Sequence, residues 1–205
     1  MTTPPTRSRE NTRARLLDAA ALVFAEVGLE GATVEVVCER AGFTRGAFYS
    51  NFESKDELFL TLAGTVAEAR LGAVREQVTA LAADGALERY EPVELVQRIM
   101  DASGDDRLSV MLMSEIRIRA LRDQAFGAAF LAQEHEMVAS ISEIIREIVD
   151  SGAITLRMDP QLVARVLMIV WEGMAVRGAM AGEDDTQLHD TSGEAIGRLV
   201  QVLMA

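Results

Sequence analysis

Apolar residues recur at helical spacing along almost the whole chain. Leu16, Leu17, Ala20, Val23, Phe24 and Val27 fall three or four residues apart, which predicts a helix from Glu10 to Val27, ended by Gly28. Leu29-Glu30-Gly31-Ala32 follows as a connection, and Thr33 caps a short second helix carrying Val34, Val37 and Ala41. Ser54-Lys55-Asp56-Glu57 reads as a capping box that opens a long helix over residues 55–82, with Leu58, Leu62, Val66 and Ala69 along one side. Asp84-Gly85 breaks it. Glu91-Pro92 opens a further helix ending near Ala102, and two more are predicted over 105–121 and 123–150, the latter stopped by Ser151-Gly152. Asp159-Pro160 opens a helix over 160–181 that is apolar over much of its circumference, so it is expected to be buried on more than one side. Thr191 and Glu194 are spaced to cap a last helix over 192–204, with Ala195, Ile196, Leu199, Val200 and Leu203 as its stripe. Val34-Glu35-Val36-Val37 and Ile116-Arg117-Ile118 are too short to argue for strands, and each sits in a helical context. The expectation is an all-α fold.

The stretch from Thr33 to Leu58 holds the densest local information. Gly42 stands where the second helix must stop, and glycine takes positive φ at a helix C-terminus at little cost. Thr44 then caps a short third helix that is polar on one side, with Arg45, Gly46, Ala47, Tyr49 and Asn51, while Phe48 faces the same way as Val37. Two helices joined by a Gly-containing turn, the second of them polar, describe a helix-turn-helix. The segment resembles the N-terminal DNA-binding domain of the TetR family of bacterial regulators. The matching residues are Ala41-Gly42-Phe43-Thr44, Gly46-Ala47-Phe48-Tyr49, Asn51-Phe52 and Ser54-Lys55-Asp56-Glu57-Leu58, within residues 10–60. The resemblance implies nine helices, three in a DNA-binding unit and six in a variable domain. It also implies a regulator, most often a repressor, that binds a palindromic operator as a homodimer and leaves it when a small molecule fills the second domain. The expected division is a disordered arm over 1–9, the DNA-binding domain over 10–54 and a ligand-binding and dimerisation domain over 55–205.

A formal net charge of −12 conflicts with DNA binding until the chain is split. Residues 1–55 carry 7 basic and 7 acidic residues, and residues 56–205 carry 13 and 25. The acidic excess therefore lies in the second part, where it would repel DNA in wrong orientations. Arg7, Arg9, Arg13, Arg15, Arg45 and Lys55 are then free to form one positive face toward phosphates. Apolar residues make up 49% of the chain, enough for a substantial core. No apolar run approaches ~18 residues, and the N-terminal segment has no apolar h-region, so a soluble cytoplasmic protein is expected. One cysteine and two separated histidines make neither a disulfide nor a metal cluster, and no cofactor is expected. No catalytic constellation stands out, so an enzyme is not expected.

For DNA the candidates are Thr33, Thr44, Arg45, Gly46, Ala47, Tyr49, Asn51 and Lys55. Arg45 is suited to pair guanine O6 and N7. Gly46 and Ala47 are small enough to let the helix lie close to base edges. The threonines offer hydroxyls and N–H groups to phosphate. Asn51 is a further candidate contact. Tyr49 and Lys55 look like the family's phosphate-contacting positions. Lys55 is also the only lysine among 20 basic residues. For a small apolar or amphipathic effector the candidate walls are Leu62, Val66, Met100, Leu112, Ile116, Phe130 and Met137; each is equally suited to plain core. The ten methionines fit an adaptable pocket or ordinary core filling. For a homodimer the candidates are Val166, Val170, Gly173, Ile196, Leu199 and Leu203, with Gly173 and Gly178 allowing close helix approach. Trp171 fits either a pocket or a subunit contact. Arg117, Arg119 and Arg122 suit salt bridges with the many acids ahead of an anionic ligand head. Cys38 reads as a small buried hydrophobe and His135 as part of a solvated face. An alternative function is a DNA-binding adaptor worked by a protein partner without a ligand.

Overall fold

The computed structural model describes residues 7–100 and 106–204, in nine α-helices and one short 3-10 turn among the described residues. The helices are α1 (Arg7–Gly31), α2 (Val34–Ala41), α3 (Arg45–Tyr49), α4 (Lys55–Ala83), α5 (Pro92–Met100), α6 (Arg107–Arg122), α7 (Gln124–Asp150), α8 (Pro160–Ala181) and α9 (Asp185–Leu203). The 3-10 turn is Leu87–Arg89. Residues 1–6 of the expected arm lie outside the described residues, and Arg7–Arg9 are already helical. The expected end of α5 near Ala102 also lies outside them. α1 kinks at Gly28, with φ 71°, and makes one further turn before stopping. That kink leaves Val27 exposed although its spacing places it on the core stripe.

The chain forms two compact units, and they divide elsewhere than at 54/55. One takes the chain up to Thr65 together with Leu112–Gly127; the other takes Val66–Met111 and Ala128–Ala205. The boundaries therefore fall inside α4, α6 and α7. The first unit recruits the end of α6 through specific contacts. The Glu115 carboxylate accepts the Leu29 N–H at 2.7 Å, and Arg119 pairs with Asp56 at 2.8 Å and with Asp123 at 3.1 Å. Of the three arginines near the end of α6, Arg119 is thus committed to carboxylates. The core of this unit is aromatic: Phe24 meets Phe59 edge-on at 6.4 Å, and Phe48 lies 5.7 Å from Phe52, all four fully buried.

In the second unit α9 packs on α5 and α8. Val78, Leu95, Ile99, Ile144 and Ile148 form one interior cluster; Val138, Ile145, Val163 and Ala164 form another. Arg157 N–H donates to the Leu203 carbonyl at 3.0 Å, tying the α7–α8 connection to the end of α9. α9 starts seven residues before the predicted 192. Its cap is Asp184, which accepts the Gln187 N–H at 2.9 Å while the Gln187 side chain accepts the Asp184 N–H. Thr191 lies within the helix and caps nothing. Gly178 serves an approach inside the subunit. A Cβ there would lie 2.4 Å from Glu183 Oε2 and 2.6 Å from Leu188 Cδ2. Leu188 is 1% exposed and has nowhere to retreat. Gly178→Ala is therefore expected to lower stability by about 1–3 kcal/mol, read as a shifted urea midpoint; an unchanged midpoint would show that α8 and α9 separate freely there.

Candidate nucleic-acid interface

The helix-turn-helix is built from local contacts that the sequence specifies. Thr33 Oγ1 accepts the Val36 N–H at 3.3 Å and Thr44 Oγ1 accepts the Ala47 N–H at 3.2 Å, so both threonines are N-caps. Gly42 adopts φ 72° and donates to Glu39 O, while Phe43 N–H reaches Cys38 O at 2.9 Å. This closes α2 and turns the chain into α3. At α4, Ser54 Oγ accepts the Glu57 N–H at 3.0 Å. The return bond of the expected box lands one residue early, the Glu57 carboxylate accepting from Glu53 N–H.

Thr44, Arg45, Gly46 and Tyr49 are exposed in a row along the turn and α3, and Ala47 is half-buried. A Cβ on Gly46 would find only Thr44 Oγ1, at 3.7 Å, so this part of the surface is open. Arg45 NH1 lies 2.7 Å from Glu35 Oε1 of α2, and its Cζ lies 5.9 Å from the Tyr49 ring centroid. Asn51 is different. It is 7% exposed, and its amide nitrogen donates to the Ala47 carbonyl at 2.8 Å. The amide closes the end of α3 from within, which removes Asn51 from the surface where DNA contact was expected.

The expected positive face is largely spent inside the unit. Arg13 donates to the Asn51 carbonyl at 2.5 Å and to Thr61 Oγ1 at 3.2 Å, with its guanidinium 4.1 Å over Phe52. Arg15 donates to the Ala41 carbonyl at 2.9 Å and lies 4.6 Å over Phe43. Each arginine thus satisfies a carbonyl at or just beyond a helix C-terminus, where a cation is also favoured by the helix dipole. Lys55 Nζ donates to the Leu29 carbonyl at 2.7 Å, the same peptide segment whose N–H Glu115 holds. Arg40 forms a fork with Glu26 at 2.8 and 2.6 Å. Arg9 is exposed on α1. Cys38 is buried; its thiol donates to the Thr44 carbonyl at 3.7 Å, and burial, aided by the Glu35 charge, pushes it up from its ordinary value. It stays protonated and packs as the small hydrophobe the sequence suggested.

Residues 16–62 match the family model for bacterial regulatory proteins of the tetR family. This segment is a TetR-family DNA-binding domain. Among its relatives, the HTH-type transcriptional repressor AcnR of Corynebacterium glutamicum is 29% identical over 82% of this chain and 81% of its own length. A TetR-family regulator from Rhodococcus sp. has the same fold, with a TM-score of 0.74 at 20% identity, covering 96% of this chain and all of that one. The Thermus thermophilus TetR-family repressor FadR, solved with lauroyl-CoA, aligns with a TM-score of 0.63 at 24% identity, over 92% of this chain and 93% of that one. With this domain and these repressors as relatives, the chain is a DNA-binding transcriptional regulator and not an enzyme. No helix among its described residues is long and apolar enough to cross a membrane. Glu35 and Glu115 are site and support residues that the sequence pattern does not mark, and Arg13 and Arg15, expected on the phosphate-facing surface, act as internal support. Only Glu35 left a signal, an acid ten residues from Arg45 across the turn.

Proposed function

We propose that the protein is a cytoplasmic repressor that reads a palindromic operator as a homodimer and releases it on binding a small apolar or amphipathic effector. The observation that carries the DNA-reading part is the exposed row Thr44, Arg45, Gly46 and Tyr49 on a turn closed by Gly42 and a helix capped by Thr44. Arg45 reads a guanine, Gly46 and Ala47 let the helix approach, and Thr33, Thr44, Tyr49 and Lys55 meet phosphates. Lys55 has three donor hydrogens and gives one to Leu29, leaving two for a phosphate oxygen. Asn51 acts as internal support for α3. Two copies related by a two-fold axis place their α3 helices ~34–36 Å apart, one turn of DNA, or a multiple of it.

DNA selected from a randomised duplex library tests this reading. Arg45→Ala is expected to lose about 1–3 kcal/mol of discrimination at one base position. Lys55→Ala is expected to weaken all duplexes alike and to reduce the salt slope by about one. Unchanged binding in both variants would remove α3 and the start of α4 from the interface.

The dimer reading rests on α8. Leu162, Val166, Ile169, Gly173 and Met180 recur on one side of that helix; Leu162, Ile169 and Met180 are exposed and Val166 and Gly173 half-exposed. Val163, Ala164, Ala175 and Ala179 on the other side are buried. Exposed apolar rows of this kind mark protein contacts. Val170 and Leu199 are half-buried and stay in the set, with exposed Val202 added. Ile196 is 3% exposed inside its own subunit, and Leu203 packs against the interior cluster around Val163. Both therefore leave the dimer set.

The effector reading is supported by the lauroyl-CoA complex of the Thermus repressor and by the apolar make-up of the second unit. Of the seven candidate wall residues, Val66, Met100, Phe130 and Met137 lie in that unit and are retained. Leu62, Leu112 and Ile116 lie in the first unit, buried as packed core. A thermal-shift series with acyl-CoA esters tests the proposal, and release of selected DNA by a stabilising ester is the expected result.

A further inference from the structure

We propose that Glu35 is a positioning residue for base reading: it holds Arg45 in the orientation that reads a base and away from the phosphates. This rests on α3 as the base-reading helix and adds a residue from α2 that sets its selectivity.

The pair lies open to a partner. Glu35 Oε1 is 2.7 Å from Arg45 NH1, and the two side chains are 57% and 62% exposed. The Gly42 turn brings them together from different helices. The Tyr49 ring flanks the guanidinium on a second side, its centroid 5.9 Å from Cζ. The Tyr49 hydroxyl first, and the Glu35 charge second, hold the guanidinium in its charged form. The contrast with Arg40 is informative. There both terminal nitrogens are matched to both oxygens of Glu26, which closes the fork on itself. On Arg45 the carboxylate meets one nitrogen, and a guanidinium has five donors. Donors remain for guanine O6 and N7.

A free arginine on a DNA-facing surface is drawn to the nearest phosphate, and that contact carries no sequence information. A carboxylate beside the guanidinium changes the balance. It repels a phosphate that would approach the same place, whereas a guanine edge carries no net charge. Glu35 therefore penalises the backbone-bound state of Arg45 more than the base-bound state, which is selectivity gained by disfavouring the wrong partner.

The test measures binding of wild type, Glu35→Gln, Glu35→Asp and Arg45→Ala to two duplexes across a salt series. One duplex is selected by the wild type from a random library; the other is its scrambled counterpart. Glu35→Gln is expected to bind the scrambled duplex more tightly, with a salt slope steeper by about one. The ratio of selected to scrambled affinity is expected to fall about tenfold. Its melting temperature should stay at the wild-type value, since exposed pairs add little stability. Glu35→Asp keeps the charge and should recover part of the ratio. Any result in which Glu35→Gln keeps the wild-type ratio overturns the inference, including an equal gain on both duplexes, which would make Glu35 a bulk charge only. Arg45→Ala separates the two levels. If it also keeps the ratio, α3 is not the base reader; if it loses the ratio while Glu35→Gln keeps it, only the role of Glu35 falls.

Discussion

Glutamate at both Leu162 and Ile169 is expected to yield a protein that sediments as a monomer and binds selected DNA roughly 10²–10⁴-fold more weakly. These two side chains are 43% and 62% exposed on α8, so the substitutions disturb no interior packing of the single chain. Surface changes of that kind usually alter stability by no more than about 0.5 kcal/mol. In a dimer built on this row, four carboxylates would instead be desolvated against apolar partners, with no cation of their own to pair with. The affinity loss follows from geometry. A monomer engages one half-site and forgoes the second, which in the dimer is bound at high effective concentration. Sedimentation of the wild type at micromolar concentration comes first, because a monomeric wild type ends the dimer reading. A double mutant that remains dimeric would move the contact off α8.

Truncating Phe48 to alanine should cost about 3–5 kcal/mol and abolish DNA binding. α3 has five residues and cannot persist as an isolated helix. It is held by its two caps and by one buried side chain, Phe48, packed against Phe52 at 5.7 Å and edge-on to Tyr49 at 5.2 Å. A typical domain has only about 5–15 kcal/mol to lose. The chain has two compact units, so calorimetry should show a separate low-temperature transition for the first one. Wild-type affinity in this variant would mean that the caps alone place Arg45 and Tyr49.

The parts of the fold visible in the sequence are those fixed by neighbours within four residues. Thr33, Gly42 and Thr44 act where their residue types say they should, because caps and turns depend on local backbone geometry. The start of α9 was signalled by Asp184 and Gln187, but its apolar stripe was the wrong guide. The face of α9 toward α5 is buried through small residues: Gly193 faces Met100, and a Cβ on Gly197 would lie 3.2 Å from Val93 Cγ1. A hydrophobicity pattern does not register burial achieved by smallness.

The cations show a related limit of local pattern. Arg13, Arg15 and Lys55 each sit at a position suited to phosphate contact, yet each donates to a carbonyl 26 to 38 residues distant in sequence. Asn51 likewise has a polar side chain whose direction is set by the end of α3. The recruitment of Leu112–Gly127 to the first unit depends on Glu115 and Arg119, whose partners Leu29 and Asp56 lie 86 and 63 residues away. Charge and spacing specify that such groups exist; only the folded chain decides which of them look outward.

The tie between Lys55 and Leu29 has a practical side. With one lysine in the chain, an amine-directed acylating reagent has a single side-chain target. Acylation converts an ammonium with three hydrogens into a neutral amide with one, so the last turn of α1 and any phosphate contact lose their cation together. The extent of labelling, followed by mass, then reports how often that ammonium leaves the Leu29 carbonyl, and protection by DNA reports occupancy of the same surface. A chain with one side-chain amine, read by the mass of the peptide that carries Lys55, is in this way its own footprinting probe.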